Sequence, residues 1–275
     1  MKRFLVLTVV LACNLGLVKA QDVVSAEFSL DFISKFTTYG VVDGKDPILM
    51  PCASVSFFNR GYLGIVSLYD VTKANGKRGA YGNRAGEYTL FDSIIGYNDE
   101  FNLGEKFGTL GVNVSYMYEY VRRYKNEPIG DTQYVCVELT LGGHFLEPSL
   151  YLERDIMADE GTYANLSIGH TIDICEGLTL CPSIGQGIGN SLRTKGYFSD
   201  DIEGFNHSGL MDSSIRFDLE YSLSENITLG AYVIYYDYLF DANMRQAARA
   251  HNSSWGSGEN HSWNFVGGLS VKASF

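Results

Sequence analysis

The sequence predicts an all-β fold, namely a transmembrane antiparallel up-and-down meander β-barrel of about 12 strands. Three observations support this prediction. Apolar and polar residues alternate through many short segments, no apolar run after the N-terminus is long enough for a membrane-spanning helix, and short and long connections alternate along the chain. Strands that cross a bilayer must close into a barrel, because closure hydrogen-bonds every backbone group.

The N-terminus matches a secretory signal peptide. A basic start and an apolar stretch precede a small-residue cleavage site that ends at Ala20. We therefore expect residues 1–20 to be removed and residues 21–275 to form one barrel domain. An alternative is a lipoprotein cleavage box that ends at Cys13, in which case a lipid would be attached to that cysteine.

Composition limits the classes of partner and activity. The chain has 32 acidic and 21 basic residues and a formal net charge of −11. Nucleic acid is not expected as a partner, because its recognition needs a basic surface. No serine-hydrolase elbow, Walker loop or zinc-protease motif occurs, so the sequence predicts no catalytic residues, no metal site and no cofactor. The glycine-rich run from Gly185 to Gly189 is expected to be a flexible strand end that no helix follows, rather than a nucleotide loop.

Four segments show the strand alternation most clearly, at 110–120, 135–141, 215–223 and 263–275. In the third, Ile215, Phe217 and Leu219 alternate with charged or polar residues, so one face is apolar and the other polar. Weaker alternation predicts eight further strands near 26–36, 48–58, 62–72, 87–97, 146–155, 162–174, 178–188 and 227–238. At 62–72 and 87–97 both faces carry apolar residues, so the sequence does not show which of the two is the main apolar face.

The connections predict the topology. Short turn-forming connections occur at 59–61, 142–143, 175–177 and 224–226, and longer polar ones at 37–47, 73–86, 124–132, 190–212 and 240–261. Their alternation indicates a sequential meander with the tight turns and both termini at one rim. The connections at 98–106 and 158–161 fit this alternation poorly.

Aromatic residues are placed where two membrane interfaces would lie. Tyr116, Tyr118, Tyr120, Tyr235 and Trp263 fall toward the ends of strands at the long-connection rim, and Phe275 falls at the opposite rim. The alternative is a secreted, water-soluble barrel or sandwich whose apolar face points inward, and its strands would look the same.

Strand parity places many charges in the interior. The acidic residues expected there are Glu27, Asp31, Glu119, Glu138, Glu147, Glu153, Asp173, Asp218 and Glu220, and the opposing bases are Lys35, Arg216 and Lys272. Either these charges form a salt-bridged, plugged interior, or they line a narrow acidic passage that prefers cations. The sequence leaves both open.

Four cysteines follow the signal segment. By parity Cys52, Cys136, Cys175 and Cys181 are all expected to face the lumen. A tight turn before Cys181 would place it opposite Ile172 and too far from Cys175 for a disulfide, so free thiols are predicted.

The C-terminal strand resembles that of outer-membrane barrels, whose assembly machinery recognises an alternating final strand with a terminal aromatic. Phe265, Leu269, Val271 and Phe275 match this pattern, whereas Ala273 stands where a larger residue is common. The segments 31–56, 147–151 and 159–163 are also similar to an uncharacterised family of porin-like Gram-negative outer-membrane proteins. This resemblance implies a barrel and implies no catalytic residues.

These patterns predict a monomeric barrel in the outer membrane of a Gram-negative bacterium. The predicted function is a channel for small polar or cationic solutes, with acidic lumen residues as its selectivity lining. The expected partners are outer-membrane lipids, the barrel-assembly machinery and such solutes. Two alternatives are a non-conducting structural or surface-interaction barrel that uses the loops at 190–212 and 240–261, and an outer-membrane lipid-modifying enzyme.

Overall fold

The computed structural model describes residues 24–72, 88–104, 106–121, 131–143, 145–254 and 260–275. The strands are β1 (Val24–Ile33), β2 (Phe36–Thr38), β3 (Val41–Gly44), β4 (Ile48–Phe57), β5 (Gly61–Asp70), β6 (Tyr88–Asn102), β7 (Thr109–Val121), β8 (Thr132–Gly142), β9 (Glu147–Asp155), β10 (Thr162–Gly169), β11 (Ile172–Cys175), β12 (Leu178–Gly189), β13 (Gly209–Ser224), β14 (Ile227–Asp237) and β15 (Asn264–Ser274). The helices are α1 (Ser191–Phe198) and α2 (Ala242–Ser254).

The strands close into a barrel. Each wall strand pairs antiparallel with its neighbours in chain order, and β1 closes the ring by pairing with β4 on one side and β15 on the other. β10 and β11 both pair with β12, so they form one interrupted wall strand, and β2 and β3 form a separate hairpin. The wall therefore has twelve strands, which confirms the predicted fold class, strand number and sequential order.

The outer surface of the barrel is apolar. Leu30, Ile95 and Leu269 are 47%, 56% and 61% exposed on the outward face. The water-soluble alternative is therefore wrong, because it requires the apolar face to point inward. The register also settles the ambiguous strand β6, in which Ile95 points outward and Asp92 inward. Among the described residues, no helix is both long and apolar enough to cross a membrane.

The connections alternate as predicted. Short connections lie between β4 and β5, β6 and β7, β8 and β9, β11 and β12, and β13 and β14, and the rim that they form, here called the inner rim, also carries Val24 and Phe275. The other connections, including the short one at 156–161, lie at the opposite, outer rim. The poor fit at 98–106 arises because β6 continues to Asn102, leaving a turn of only a few residues.

Three sequence expectations concern segments that the structure does not describe. The predicted signal segment 1–20, with the lipidation alternative at Cys13, lies outside the described residues. The predicted loop at 73–86 lies outside them as well, and so does most of the loop at 124–132.

Two outer connections predicted to be polar loops contain helices instead. Asn190 ends the glycine-rich segment and caps α1, since its side chain accepts a hydrogen bond from the Arg193 N–H at 3.0 Å. The expectation that no helix follows Gly189 is therefore wrong. In α2, Met244, Ala247, Ala248 and His251 recur on one buried face at helical spacing.

Glycines make room for inward-facing tyrosines on neighbouring strands. Gly96 lies opposite Tyr62, and a Cβ at Gly96 would overlap the Tyr62 ring, whose hydroxyl donates to Asn113 Oδ1 at 3.0 Å. Gly268 lies beneath Tyr232 in the same way. These tyrosines lie flat against the barrel wall because the opposing residue has no side chain.

Gly96→Ala should lower the free energy of unfolding by about 1–3 kcal/mol, because the added methyl group displaces the Tyr62 ring. Urea titration of the refolded protein in detergent micelles measures this change. The control is Gly61→Ala, since a Cβ at Gly61 meets no atom within 4 Å. Equal stability of the two variants would contradict the proposed packing.

Candidate functional site

Elements from three outer connections pack together inside the outer end of the barrel. We call them the plug, which comprises the β2–β3 hairpin (36–44), α1 with the following turn (191–205), and α2 (242–254). Their shared core is apolar and fully buried, and it includes Val41, Phe198, Met244, Ala247 and Ala248. Tyr163 and Met211 from the barrel wall complete it. The plug is thus a small packed unit and not a set of independent loops.

Arg193 of α1 ties the plug to the wall. Its guanidinium, in a residue only 2% exposed, lies 3.1 Å from Glu153 on β9 and 3.0 Å from Asp159 in the β9–β10 connection. Asp155 lies at 3.9 Å. Burial opposes the charge, yet Tyr39 and the neighbouring carboxylates raise the pKa of Arg193, so the guanidinium remains protonated.

The β2–β3 hairpin crosses the lumen. It begins after β1, but Tyr39 at its tip donates to Glu153 on β9, which is the diametrically opposite wall strand. The carbonyl of Gly40 accepts a hydrogen bond from the Asn264 amide on β15 at 2.9 Å. Both tip residues have positive φ angles, 48° for Tyr39 and 79° for Gly40. The tip therefore makes a tight turn against the wall.

His251 joins three parts of the plug. Its ring lies 2.8 Å from Asp201, in the turn after α1, and 3.2 Å from Asp43 on β3. The Tyr197 ring stacks on the imidazole with centroids 5.5 Å apart, and the Tyr197 hydroxyl donates to Asp43. Burial favours the neutral ring, but the hydrogen bonds to both carboxylates raise the pKa of His251 to about 9. The imidazole is therefore charged at neutral pH.

The other side of the outer lumen is lined by apolar residues. Ile48, Leu68, Leu90 and Val121 form a buried cluster on the inward faces of β4 to β7, against which Phe36 of the hairpin packs. The outer end of the lumen is thus filled by the plug on one side and by this cluster on the other.

The inner end of the lumen is polar, and the register turns the predicted interior residues Glu27, Glu138, Asp218, Glu220 and Lys272 inward there. Lys272 lies 3.1 Å from Glu27 on the adjacent strand. Arg216 makes a bidentate contact with Asp218 at 2.6 and 2.7 Å and lies over the Tyr232 ring at 4.8 Å. Both bases of this wall are therefore paired with acids.

The remaining predicted acids are spread around the inward face. Asp31 accepts a hydrogen bond from Ser29 at 3.3 Å, and Glu119 lies opposite Asp92. Glu138 lines a cavity of about 590 Å³ at the inner rim. The register also turns Glu147, Asp173 and Glu220 inward, near the inner rim. The structure thus distributes these residues over the lumen and does not gather them into one site.

The cysteines differ in part from expectation. Cys52, Cys136 and Cys181 lie on the inward face, but a bulge in β11 puts Cys175 opposite the outward-facing Leu178. The prediction that Cys175 faces the lumen is therefore wrong. The same bulge moves Ile172 opposite Leu180. All four described thiols are free.

The predicted girdle and assembly residues lie on the outward face. At the outer rim, the rings of Tyr235, Phe265 and Trp263 form a chain with centroids 5.0 and 5.9 Å apart. The other outward-facing residues of these two sets are Tyr116, Tyr118, Tyr120, Leu269, Val271 and Phe275. Recognition of the final strand by an assembly machinery stays a prediction.

The structure adds residues that the sequence did not single out. Arg193 lies in a predicted loop and carries no local signal of burial. Asp92 lies on the strand whose parity was ambiguous. Asp155 lies two residues after Glu153 and therefore on the same face of β9. The alternation that predicts an inward Glu153 also predicts an inward Asp155. Asp212 lies in a bulge of β13, where simple parity fails.

Arg193→Met should destabilise the protein by about 3–5 kcal/mol, since it leaves buried carboxylates without their countercharge. Urea titration in detergent micelles provides the measurement. Lys195→Met is the matched control, because Lys195 belongs to the same helix but is exposed. If Arg193→Met lowers the free energy of unfolding no more than this control does, the arginine does not anchor the plug.

The plug should loosen at high pH. A histidine whose pKa is raised on folding stabilises the folded form in full below the unfolded pKa of about 6.5, and this stabilisation is lost as the pH rises through about 9. Trypsin cleavage at Arg245 and Arg249 of α2 should therefore accelerate between pH 7 and pH 10, after correction with a peptide substrate. His251→Gln should be cleaved rapidly at both values, whereas His170→Gln, a change at a histidine between β10 and β11 and away from the plug, should behave like wild type. Unchanged protection of the wild type at pH 10 would refute the role of His251.

Comparison with known proteins gives a likeness of fold. No protein-family model and no curated protein sequence matches the chain. The solved structure of an outer membrane channel from Pseudomonas putida F1 matches 92% of this chain and 96% of its own, with a TM-score of 0.50 and 10% identity. The NanC porin covers 90% of this chain and 98% of its own, and the KdgM porin 91% and 99%, each with a TM-score of 0.49 and with 11% and 9% identity. The chain therefore has a closed antiparallel barrel of the fold found in outer-membrane channels.

Proposed function

We propose that this protein is an outer-membrane channel for small polar solutes and that its lumen favours cations. The observation that carries the proposal is the charge of the inward face. Among the described strand residues, only Arg216 and Lys272 are inward-facing bases, and each is paired with an acid. The inward-facing acids for which the described residues show no such base include Asp31, Asp92, Glu100, Glu119, Glu138, Glu147, Asp173 and Glu220.

The inner mouth supports a cation preference most directly. Glu100 and Glu138 line the cavity at the inner rim, and Glu138 is exposed to solvent. Arg60 also lines it but is paired with Asp99 at 3.6 Å, so the net charge of this lining is negative. Carboxylates that line a confined, water-filled space raise the local concentration of cations and lower that of anions. A solute that enters from this side meets negative charge first.

The outer-membrane address rests on the surface of the barrel. The apolar outward face is bounded at the outer rim by Tyr235, Trp263 and Phe265, as expected for aromatic residues at a membrane interface. A bacterial outer membrane channel has a barrel of similar fold. Both observations support the same location for this chain.

A second candidate is a barrel that does not conduct. The plug and the apolar cluster together fill the outer end of the lumen, and Val41, Phe198 and Met244 are completely buried there. In this case the outer surface of the plug is the functional part, and the acidic lumen is a consequence of wall packing.

Planar-bilayer recordings under a KCl gradient distinguish the candidates. We expect measurable conductance with a reversal potential on the cation-selective side. The double variant Glu138→Gln/Glu220→Gln should shift the reversal potential toward zero, because it removes two unpaired carboxylates from the inner lumen. Glu160→Gln is the control for net charge, since Glu160 is exposed in the β9–β10 connection outside the barrel.

Anion preference of the wild type would refute the cation-favouring lumen. A folded protein without conductance, with folding shown by faster migration of unboiled samples in detergent electrophoresis, would favour the closed barrel.

A further inference from the structure

Asp92 is a buried carboxylate on the inward face of β6. It is only 8% exposed, and its Oδ1 has no hydrogen-bond partner among the residues that the structure describes. Glu119 lies directly opposite on β7, also facing inward. Opposed side chains on one face of a sheet are close enough to act on the same ligand. Asp92 and Glu119 therefore form a pair of acids in the lumen wall.

Such a pair needs a positive group. A carboxylate buried without hydrogen bonds is costly unless a proton or a cation neutralises it. The buried cation Arg193 is already held by Glu153 and Asp159, and His251 is held by two further carboxylates of the plug. Both of these buried cations are therefore already engaged by other carboxylates, and a cation from the lumen can supply the positive charge.

The surroundings of the pair indicate which cation fits. The neighbouring inward residues on β6 and β7 are Leu90 and Val121 toward the outer rim and Ile94 and Met117 toward the inner rim. On β5, Val66 lies opposite Asp92. On β8, Thr132 lies opposite Glu119 and donates to Asp155 at 2.8 Å. Aliphatic side chains thus flank the two carboxylates along β6 and β7 and on β5, and polar side chains adjoin Glu119 on β8. A small inorganic ion would lose its water for few replacement ligands, whereas an alkylammonium ion can place its charge on the acids and its alkyl groups on the aliphatic residues.

The lumen gives access to this pair. A cavity of about 120 Å³ is lined by Glu27, Ser29, Cys52 and Tyr62, and it extends to Val66 and Ile94. Val66 and Ile94 are immediate neighbours of Asp92 on the inward face. The cavity therefore brings a cation that has passed Glu27 to the side chains that flank Asp92.

We propose that Asp92 and Glu119 form a binding site for alkylammonium cations in the lumen wall. The proposal deepens the proposed function, on which it rests, by naming the class of solute that the channel takes. The ammonium group lies between the two carboxylates, and the alkyl chain contacts Ile94 and Met117.

Binding can be tested without conductance. Saturation-transfer NMR with n-butylammonium chloride and the detergent-solubilised protein should give a saturable signal, and Asp92→Asn should weaken the affinity by about tenfold or more, because a charge-assisted contact is lost. Glu119→Gln should act in the same direction. Glu160→Gln is the matched control, since Glu160 is an exposed acid in the β9–β10 connection outside the barrel, and it should leave the affinity unchanged. Heat-modifiable migration in detergent electrophoresis shows that each variant is folded.

Bilayer recordings separate failure of the site from failure of the channel. In a conducting protein, the permeability ratio of n-butylammonium to K⁺ should fall in Asp92→Asn and stay constant in Glu160→Gln. Saturable binding that requires Asp92 in a protein without conductance would uphold the site and refute the channel. A cation-selective wild type whose affinity for n-butylammonium is the same in Asp92→Asn would uphold the channel and overturn the site.

Discussion

The architecture depends on the closed hydrogen-bonding ring of the wall. A bilayer offers no water to backbone groups, so each strand must pair on both sides, and β1 does so with β4 and β15. Closure then fixes the parity of every strand, since successive side chains point alternately outward and inward. The apolar outer surface, the acidic inner surface and the position of each lumen residue all follow from that one ring of strand pairs.

The plug is stabilised by side-chain packing, whereas the wall is stabilised by hydrogen bonds between strands. The interior of the plug is an apolar core like that of a small soluble domain, and wall residues such as Met211 complete that core. Polar contacts of Arg193, Tyr39 and the Asn264 amide add to its attachment. Inward-facing glycines of β12 make this attachment possible, because a Cβ at Gly187 would meet Tyr163 and one at Gly189 would meet Met211. The glycine-rich run therefore serves close packing, and the expectation of a flexible strand end is wrong.

Sequence reasoning succeeded where the signal is local. The two-residue period of strands reveals which side chains share a face, so the inward positions of Glu27, Asp218 and Lys272 follow from alternation alone. Alternation did not reveal which face of β6 points inward, because Leu90 and Ile94 are apolar and yet face the lumen, where they pack against other lumen residues. The predicted facing of Cys175 was wrong because a bulge adds one residue to β11, and this reverses the facing of the positions that follow.

The plug was beyond sequence reasoning for another reason. The helices α1 and α2 are short, and their mostly polar sequences lack the length that marks a helix of a soluble core. Their apolar residues gain a partner only when the three outer connections meet, and that meeting depends on the closed wall. Local propensity carries no information about it.

The hairpin that crosses the lumen also sets an order of events in folding. Its contacts join residues far apart in the chain, with 114 positions between Tyr39 and Glu153 and 224 between Gly40 and Asn264. Asn264 belongs to the last strand, so this contact forms only after the C-terminal part of the chain has joined the wall. Contacts between such distant residues form slowly. The contacts of the hairpin tip are therefore among the least local in the chain, and the entropy of loop closure disfavours them until the wall has brought β9 and β15 into place.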